Sequence, residues 1–165
     1  MQKVHRSVLL FISFILLITT IGFFYLNIMK KENEIRLMPD NQSLVSKGKK
    51  IYEQNCASCH GIALEGQKNW QTRDEEGYLP APPHDERGHT WHHPDEYLFL
   101  LTKYGIEKTI RKTYLNNMPY LNNMPAYEDI LSDKEILAVL SFIKSRWPNR
   151  IQEIHDNINH KSKLN

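Results

Sequence analysis

Cysteine is scarce in this chain: there are two, Cys56 and Cys59, and no other. A zinc site would need a further cysteine or a compact set of His and Asp ligands. A thioredoxin-like centre would need a βαβ pattern around its thiols, and no such alternation is readable. An excess of positive charge is missing too. Lys+Arg number 21 against Asp+Glu 19, and Lys3 and Arg6 alone account for the net +2. Without a concentrated basic face, nucleic-acid binding is excluded. Glycine (7) and proline (8) are too few for a disordered or fibrous chain. A length of 165 residues suits one domain rather than two.

The two cysteines lie in Cys56-Ala57-Ser58-Cys59-His60-Gly61. That spacing is the pattern of covalent c-type haem attachment. Two thiols three residues apart share one side of a helical turn. Each can form a thioether with one haem vinyl group, and His60 can reach the iron as its proximal ligand. One covalently attached haem c, with its iron, is the expected cofactor.

Residues 7–29 carry no charge, and residues 8–26 are mostly apolar. A cleavable signal peptide has an apolar core of about 7–15 residues and a small-x-small cleavage site. This core approaches the roughly 20 residues needed to span a bilayer, and no A-x-A-like site follows it. The expectation is an uncleaved signal anchor over residues 1–29, forming one transmembrane helix. Basic residues flank it on both sides, Lys3 and Arg6 before and Lys30 and Lys31 after, so the positive-inside rule does not orient it. Haem attachment does, because that maturation belongs to the outer side of the membrane. The haem domain is expected to face the periplasm from a single pass through the inner (cytoplasmic) membrane. Residues 30–42, with Pro39-Asp40-Asn41, read as a linker.

A helix is expected from Ser43, with Leu44, Gly48, Ile51, Tyr52 and Asn55 on one face. Gly48 on that face suits the close approach of another helix. Residues 62–83 form a long loop with Gly66, Gly77, Pro80, Pro82 and Pro83, in which Trp70, Tyr78 and Leu79 are candidates to pack on the haem. Residues 84–93 hold four histidines: His84, His89, His92 and His93. They are read either as a second copper or zinc site or as a polar loop with Trp91 against the haem edge. Pro94, Asp95 and Glu96 open a helix that Gly105 closes. Lys103, Lys108, Arg111 and Lys112 make a basic stretch, either plain solvated surface or a steering patch for an acidic redox partner.

Tyr114-Leu115-Asn116-Asn117-Met118-Pro119 recurs unchanged as Tyr120-Leu121-Asn122-Asn123-Met124-Pro125. Each copy offers a thioether, and Met/His ligation raises a haem's reduction potential. Ser132 and Glu135 form a capping box before an apolar helix through Ile136, Leu140 and Ile143, which Trp147-Pro148 stops. Residues 149–165 read as a polar C-terminal tail with Ile151, Ile154 and Ile158 at loose helical spacing.

Residues 43–148 resemble a class I cytochrome c, specifically the small monohaem, membrane-anchored bacterial members. The likeness rests on a helix running into CASCH, a proline-bearing loop, a middle helix, Met-Pro-Ala-Tyr, and a last helix opening at Leu-Ser-Asp. The resemblance implies an all-α fold of three main helices around one haem. It implies that the first and last of these cross near Gly48 and Tyr52, and that a carbonyl of Pro82 or Pro83 accepts the ring N–H of His60. By its distance from the last helix it implies Met124 as the second iron ligand, with Met118 the alternative. The function implied is single-electron transfer rather than catalysis, alone or as the cytochrome subunit of a larger oxidoreductase. Partners would be redox proteins or membrane oxidoreductase complexes, with no small-molecule substrate. Two other readings are a haem enzyme or gas or redox sensor with a displaceable sixth ligand, and a metal-handling protein using the histidine-rich loop.

Overall fold

The computed structural model describes residues 2–32, 35–111 and 123–164. Every regular element among them is helical. The chain divides into two compact units, residues 1–34 and 35–165.

The first unit is helix α1, Gln2–Glu32. Residues 11–26, whose side chains are described, are all exposed, including Phe11, Phe14, Leu16, Phe24 and Leu26. The hydroxyls of Thr19 and Thr20 fold back to donate to the carbonyls of Leu16 (2.9 Å) and Leu17 (2.8 Å). Among the described residues no helix is long and apolar enough to cross a membrane.

The second unit is built on the crossing of α2, Gln42–Asn55, with α5, Asp133–Ser145. Asn41 caps α2 by accepting the Leu44 N–H at 3.1 Å. The apolar face of α2 buries Gly48, Ile51 and Tyr52. A Cβ on Gly48 would stand 1.9 Å from the Ala138 carbonyl oxygen, so the helices meet backbone to backbone and only glycine fits. One turn further on, the Tyr52 ring packs on Phe142 with centroids 5.4 Å apart. The expected crossing near Gly48 and Tyr52 is therefore present. At the head of α5 the Glu135 carboxylate accepts the Ser132 N–H at 3.0 Å, the return arm of the capping box. Ile136, Ala138, Val139, Leu140, Phe142 and Ile143 of α5 are buried in the core.

Between them runs α4, Asp95–Arg111, which breaks at Gly105 (φ 77°, ψ 167°). The expected closure is thus a kink, after which helical turns resume. The Tyr127 N–H bridges the carbonyls of Thr102 and Lys103, both at 3.1 Å, which the kink leaves without a helical donor.

Two expectations are sharpened here. Residues 149–165 are not merely a polar tail, because the loose helical spacing of their isoleucines becomes a docked helix, α6, Asn149–Ser162, with Ile151 and His155 buried. Pro148 (φ −55°, ψ 149°) ends the preceding run and serves as the N-cap of the new helix. Asn159 then clasps the head of α4: its Oδ1 accepts the Asp95 N–H at 2.7 Å, and its Nδ2 donates to Asp95 Oδ1 at 3.0 Å. Nor is the whole of residues 30–42 a free linker. Leu37 is 3% exposed, its N–H donates to Asp95 Oδ2 at 2.9 Å, and the Met38 N–H donates to Ser141 Oγ at 3.0 Å. One buried carboxylate, Asp95, thereby ties the N-terminal strap, α4 and α6 together.

Candidate functional site

Helix α2 ends at the first cysteine, whose N–H donates to the Tyr52 carbonyl at 2.8 Å. A single helical turn, α3 (Ala57–His60), follows, and the His60 N–H closes on the Cys56 carbonyl at 2.9 Å. The two cysteines are not bonded to each other; Cys56 is half-buried and Cys59 exposed. Burial pushes the Cys56 thiol up to about 11. A thiol-redox centre works with a lowered thiol pKa, and the Cys56 thiol is displaced the other way.

His60 is 8% exposed. Its Nδ1 lies 2.8 Å from the Pro82 carbonyl oxygen. A carbonyl only accepts, so Nδ1 carries the proton and Nε2 keeps its lone pair for a metal. Burial also holds the His60 pKa below the usual imidazole value, with the Pro82 bond opposing it. Of the two prolines considered, Pro82 supplies this oxygen, whereas Pro83 is buried and wedged beside glycines. A Cβ on Gly66 (φ +69°) would meet Pro83 N at 2.4 Å and Pro82 C at 2.7 Å; one on Gly88 would meet the Pro83 oxygen at 1.9 Å. The Gly66 N–H also donates to the His60 carbonyl at 2.8 Å. Two glycines let the proline segment close onto His60.

The residue that sequence reasoning did not assign to this site is His84. Its ring stacks on His60 with centroids 3.9 Å apart and planes at 22°. Its Nδ1 lies 2.9 Å from Thr90 Oγ1, and its carbonyl accepts the Trp147 indole N–H at 2.7 Å. Burial, then the neighbouring His60 and His89, hold its pKa well below the usual imidazole value. Its place two residues beyond Pro82 was the available signal, hidden by the surrounding histidines.

The other histidines pack mainly on aromatic rings: His89 stacks beside Trp70 (5.8 Å) and meets His93 edge-on (5.6 Å), His92 stacks on Trp91 (3.6 Å), and His93 also stacks on Tyr97 (4.7 Å). Among the described residues no group of three or more His, Cys, Asp or Glu is placed to hold a metal ion. Trp91 is half-buried, and its indole N–H donates to the Glu86 carbonyl at 3.2 Å. In the basic stretch, Lys103 pairs with Asp133 at 2.6 Å and Lys108 with Glu128. Acids of the same fold thus take up two of the charges proposed for steering.

Met124 is half-buried and packs against the hydrophobic core. Tyr127, three residues on, is buried and donates its hydroxyl to the Asn55 carbonyl at 2.8 Å. This bond ties the Met-Pro-Ala-Tyr segment to the end of the helix that carries the cysteines. Met118 and the rest of the first repeat copy lie outside the described residues. The donor set (two cysteines, an imidazole with Nε2 left for a metal, and a core-packed thioether) fits a covalently held, two-ligand haem.

Comparison with known proteins adds one match: a family model described as Cytochrome c covers residues 45–147. No solved structure matches the chain.

Proposed function

This chain belongs to the cytochrome c family, and from that premise we propose that it is a membrane-anchored, periplasm-facing single-electron carrier with His60 and Met124 as its iron ligands. Haem c is its covalently attached cofactor, with Cys56 and Cys59 at the attachment spacing, and in general terms the chain is a haem-based electron carrier. When bound, the haem supplies a one-electron iron couple.

The residues do the rest. Cys56 and Cys59 hold the group, His60 presents Nε2, and Pro82 fixes the tautomer and direction of that ring. Met124 would supply the iron's second ligand and so leave no coordination site for a substrate, which favours a carrier over an enzyme. The observation that carries the reading is the 2.8 Å contact between His60 Nδ1 and the Pro82 oxygen, because it orders an imidazole directly beside two cysteines. The anchor is supported by the uncharged run of residues 7–29 and by the Thr19 and Thr20 hydroxyls. Inside lipid every polar hydrogen needs an internal acceptor, and these have one. Held at the membrane, the carrier would meet membrane oxidoreductases at raised effective concentration.

The test is optical, on the membrane fraction of cells expressing the full chain. The expected result is a c-type spectrum that survives salt washing and is little changed when carbon monoxide is added to the reduced form. Ready carbon monoxide binding would replace the carrier with a haem enzyme or sensor, and a soluble spectrum would remove the anchor.

A further inference from the structure

The bond from His60 to Pro82 fixes where Nδ1 points and leaves the ring free to pivot about that contact. The face of His84, 3.9 Å away at 22°, closes that freedom from one side. His84 is itself held at three points. Its N–H donates to the Leu64 carbonyl at 2.8 Å, its carbonyl accepts from Trp147 at 2.7 Å, and its Nδ1 meets Thr90 Oγ1 at 2.9 Å. Trp147 and Thr90 are 3% and 8% exposed, so the support is rigid. A flat ring stacked on another resists relative tilting in a way that an aliphatic side chain does not. We propose that His84 is a positioning residue that sets the plane of the His60 imidazole, and through it the ligand orientation felt by the iron. The inference rests on His60 being the iron's imidazole ligand.

The orientation of an axial imidazole is read directly in the low-spin ferric electron paramagnetic resonance spectrum of the haem-loaded protein. His84→Phe keeps a flat ring and is expected to leave the g-values within the line width of the unaltered protein. His84→Leu keeps volume but loses flatness and is expected to shift the largest g-value, broaden it and move the reduction potential. Thr90→Val removes the hydroxyl at His84 Nδ1 while leaving His84 in place, and is expected to broaden the same signal; it decides the matter should His84→Leu not accumulate. Unchanged spectra for His84→Leu and Thr90→Val, or equal shifts for His84→Phe and His84→Leu, would overturn the proposal alone. Absence of a low-spin ferric signal in the unaltered protein would overturn the His60/Met124 ligation and the proposal with it.

Discussion

His60 Nδ1 and the carbonyl oxygen of Pro82 lie 2.8 Å apart across a loop of 22 residues. Long loops inside compact units are ordinarily wrapped around something, and this one returns to the histidine it left. Its path depends on two places where a side chain is forbidden, Gly66 and Gly88, both pressed on Pro82-Pro83. The orientation of the His60 ring is therefore set by backbone packing as much as by the histidine itself.

Gly66→Ala tests that dependence. An L-residue at φ +69° carries about 1–2 kcal/mol of strain, and the new Cβ would also collide with the Pro82-Pro83 backbone at 2.4 Å and 2.7 Å. A total loss above about 2 kcal/mol is expected in denaturant unfolding of the haem-loaded protein, together with a shifted reduction potential. Gly105→Ala is the control, with a similar φ of +77° but ordinary contacts from 3.5 Å; it should show the strain alone. Equal losses in the two variants would count against the clamp.

Gly48→Ala addresses the helix crossing. In an open helix this substitution would gain about 1 kcal/mol. Here the Cβ lands 1.9 Å from the Ala138 carbonyl oxygen and 2.5 Å from its carbon, and backbone cannot swing aside. Overpacking should reverse the sign and destabilise by about 1–3 kcal/mol. A raised unfolding midpoint would contradict the backbone-to-backbone contact.

The features legible in the sequence were those with a local chemical signature. Gly48 stood out on an apolar helical face, Ser132 and Glu135 by their capping spacing, and Cys56 to His60 by their attachment pattern. Helix α6 showed only as a loose spacing of isoleucines, because its apolar residues are sparse. What docks it is Asn159 clasping Asp95 across 64 residues, a pairing that no window of sequence displays. The buried strap at Leu37 escaped for the same reason, since its partner is also Asp95. His84 was obscured in another way. Four histidines in ten residues suggest a metal, yet their rings pack largely on aromatic neighbours, and one of them is packed on the face of His60.

The duplicated hexapeptide leaves two methionines to be distinguished by redox titration. Met124 packs on the core and stands three residues before Tyr127, whose hydroxyl is anchored to Asn55. Met124→Ala is expected to lower the reduction potential, since the thioether ligand raises it, whereas Met118→Ala should change it little. Six extra residues in a loop change closure entropy by less than about 1 kcal/mol, so the reverse ranking is physically open and would transfer the ligand to Met118.

Acid should loosen α6 through His155. This ring is fully buried, with Nε2 3.0 Å from the His93 carbonyl and Nδ1 3.3 Å from Asn159 Nδ2. The carbonyl requires a proton on Nε2 and the amide requires a lone pair on Nδ1, so the fold selects the neutral ring. Lys144 from α5 faces it, with Asp95 from α4 and Asp156 from α6 opposing. Burial, then the Lys144 charge, hold the His155 pKa below the ordinary 6.5. Above that ordinary value both folded and unfolded chains leave the ring neutral, and it contributes no pH dependence. As pH falls below it, the unfolded chain binds a proton that the fold refuses, so stability declines until the lowered folded pKa is passed. Denaturant midpoints at pH 7.5 and pH 5 should therefore drop in the unaltered protein, where His84, His89 and His93, lowered in the same direction, add to the effect. His155→Gln should be less stable at pH 7.5 by about 1–3 kcal/mol, through imperfect replacement of buried hydrogen bonds, yet lose less on acidification. An equal acid loss in the variant would show that the proton is taken up elsewhere.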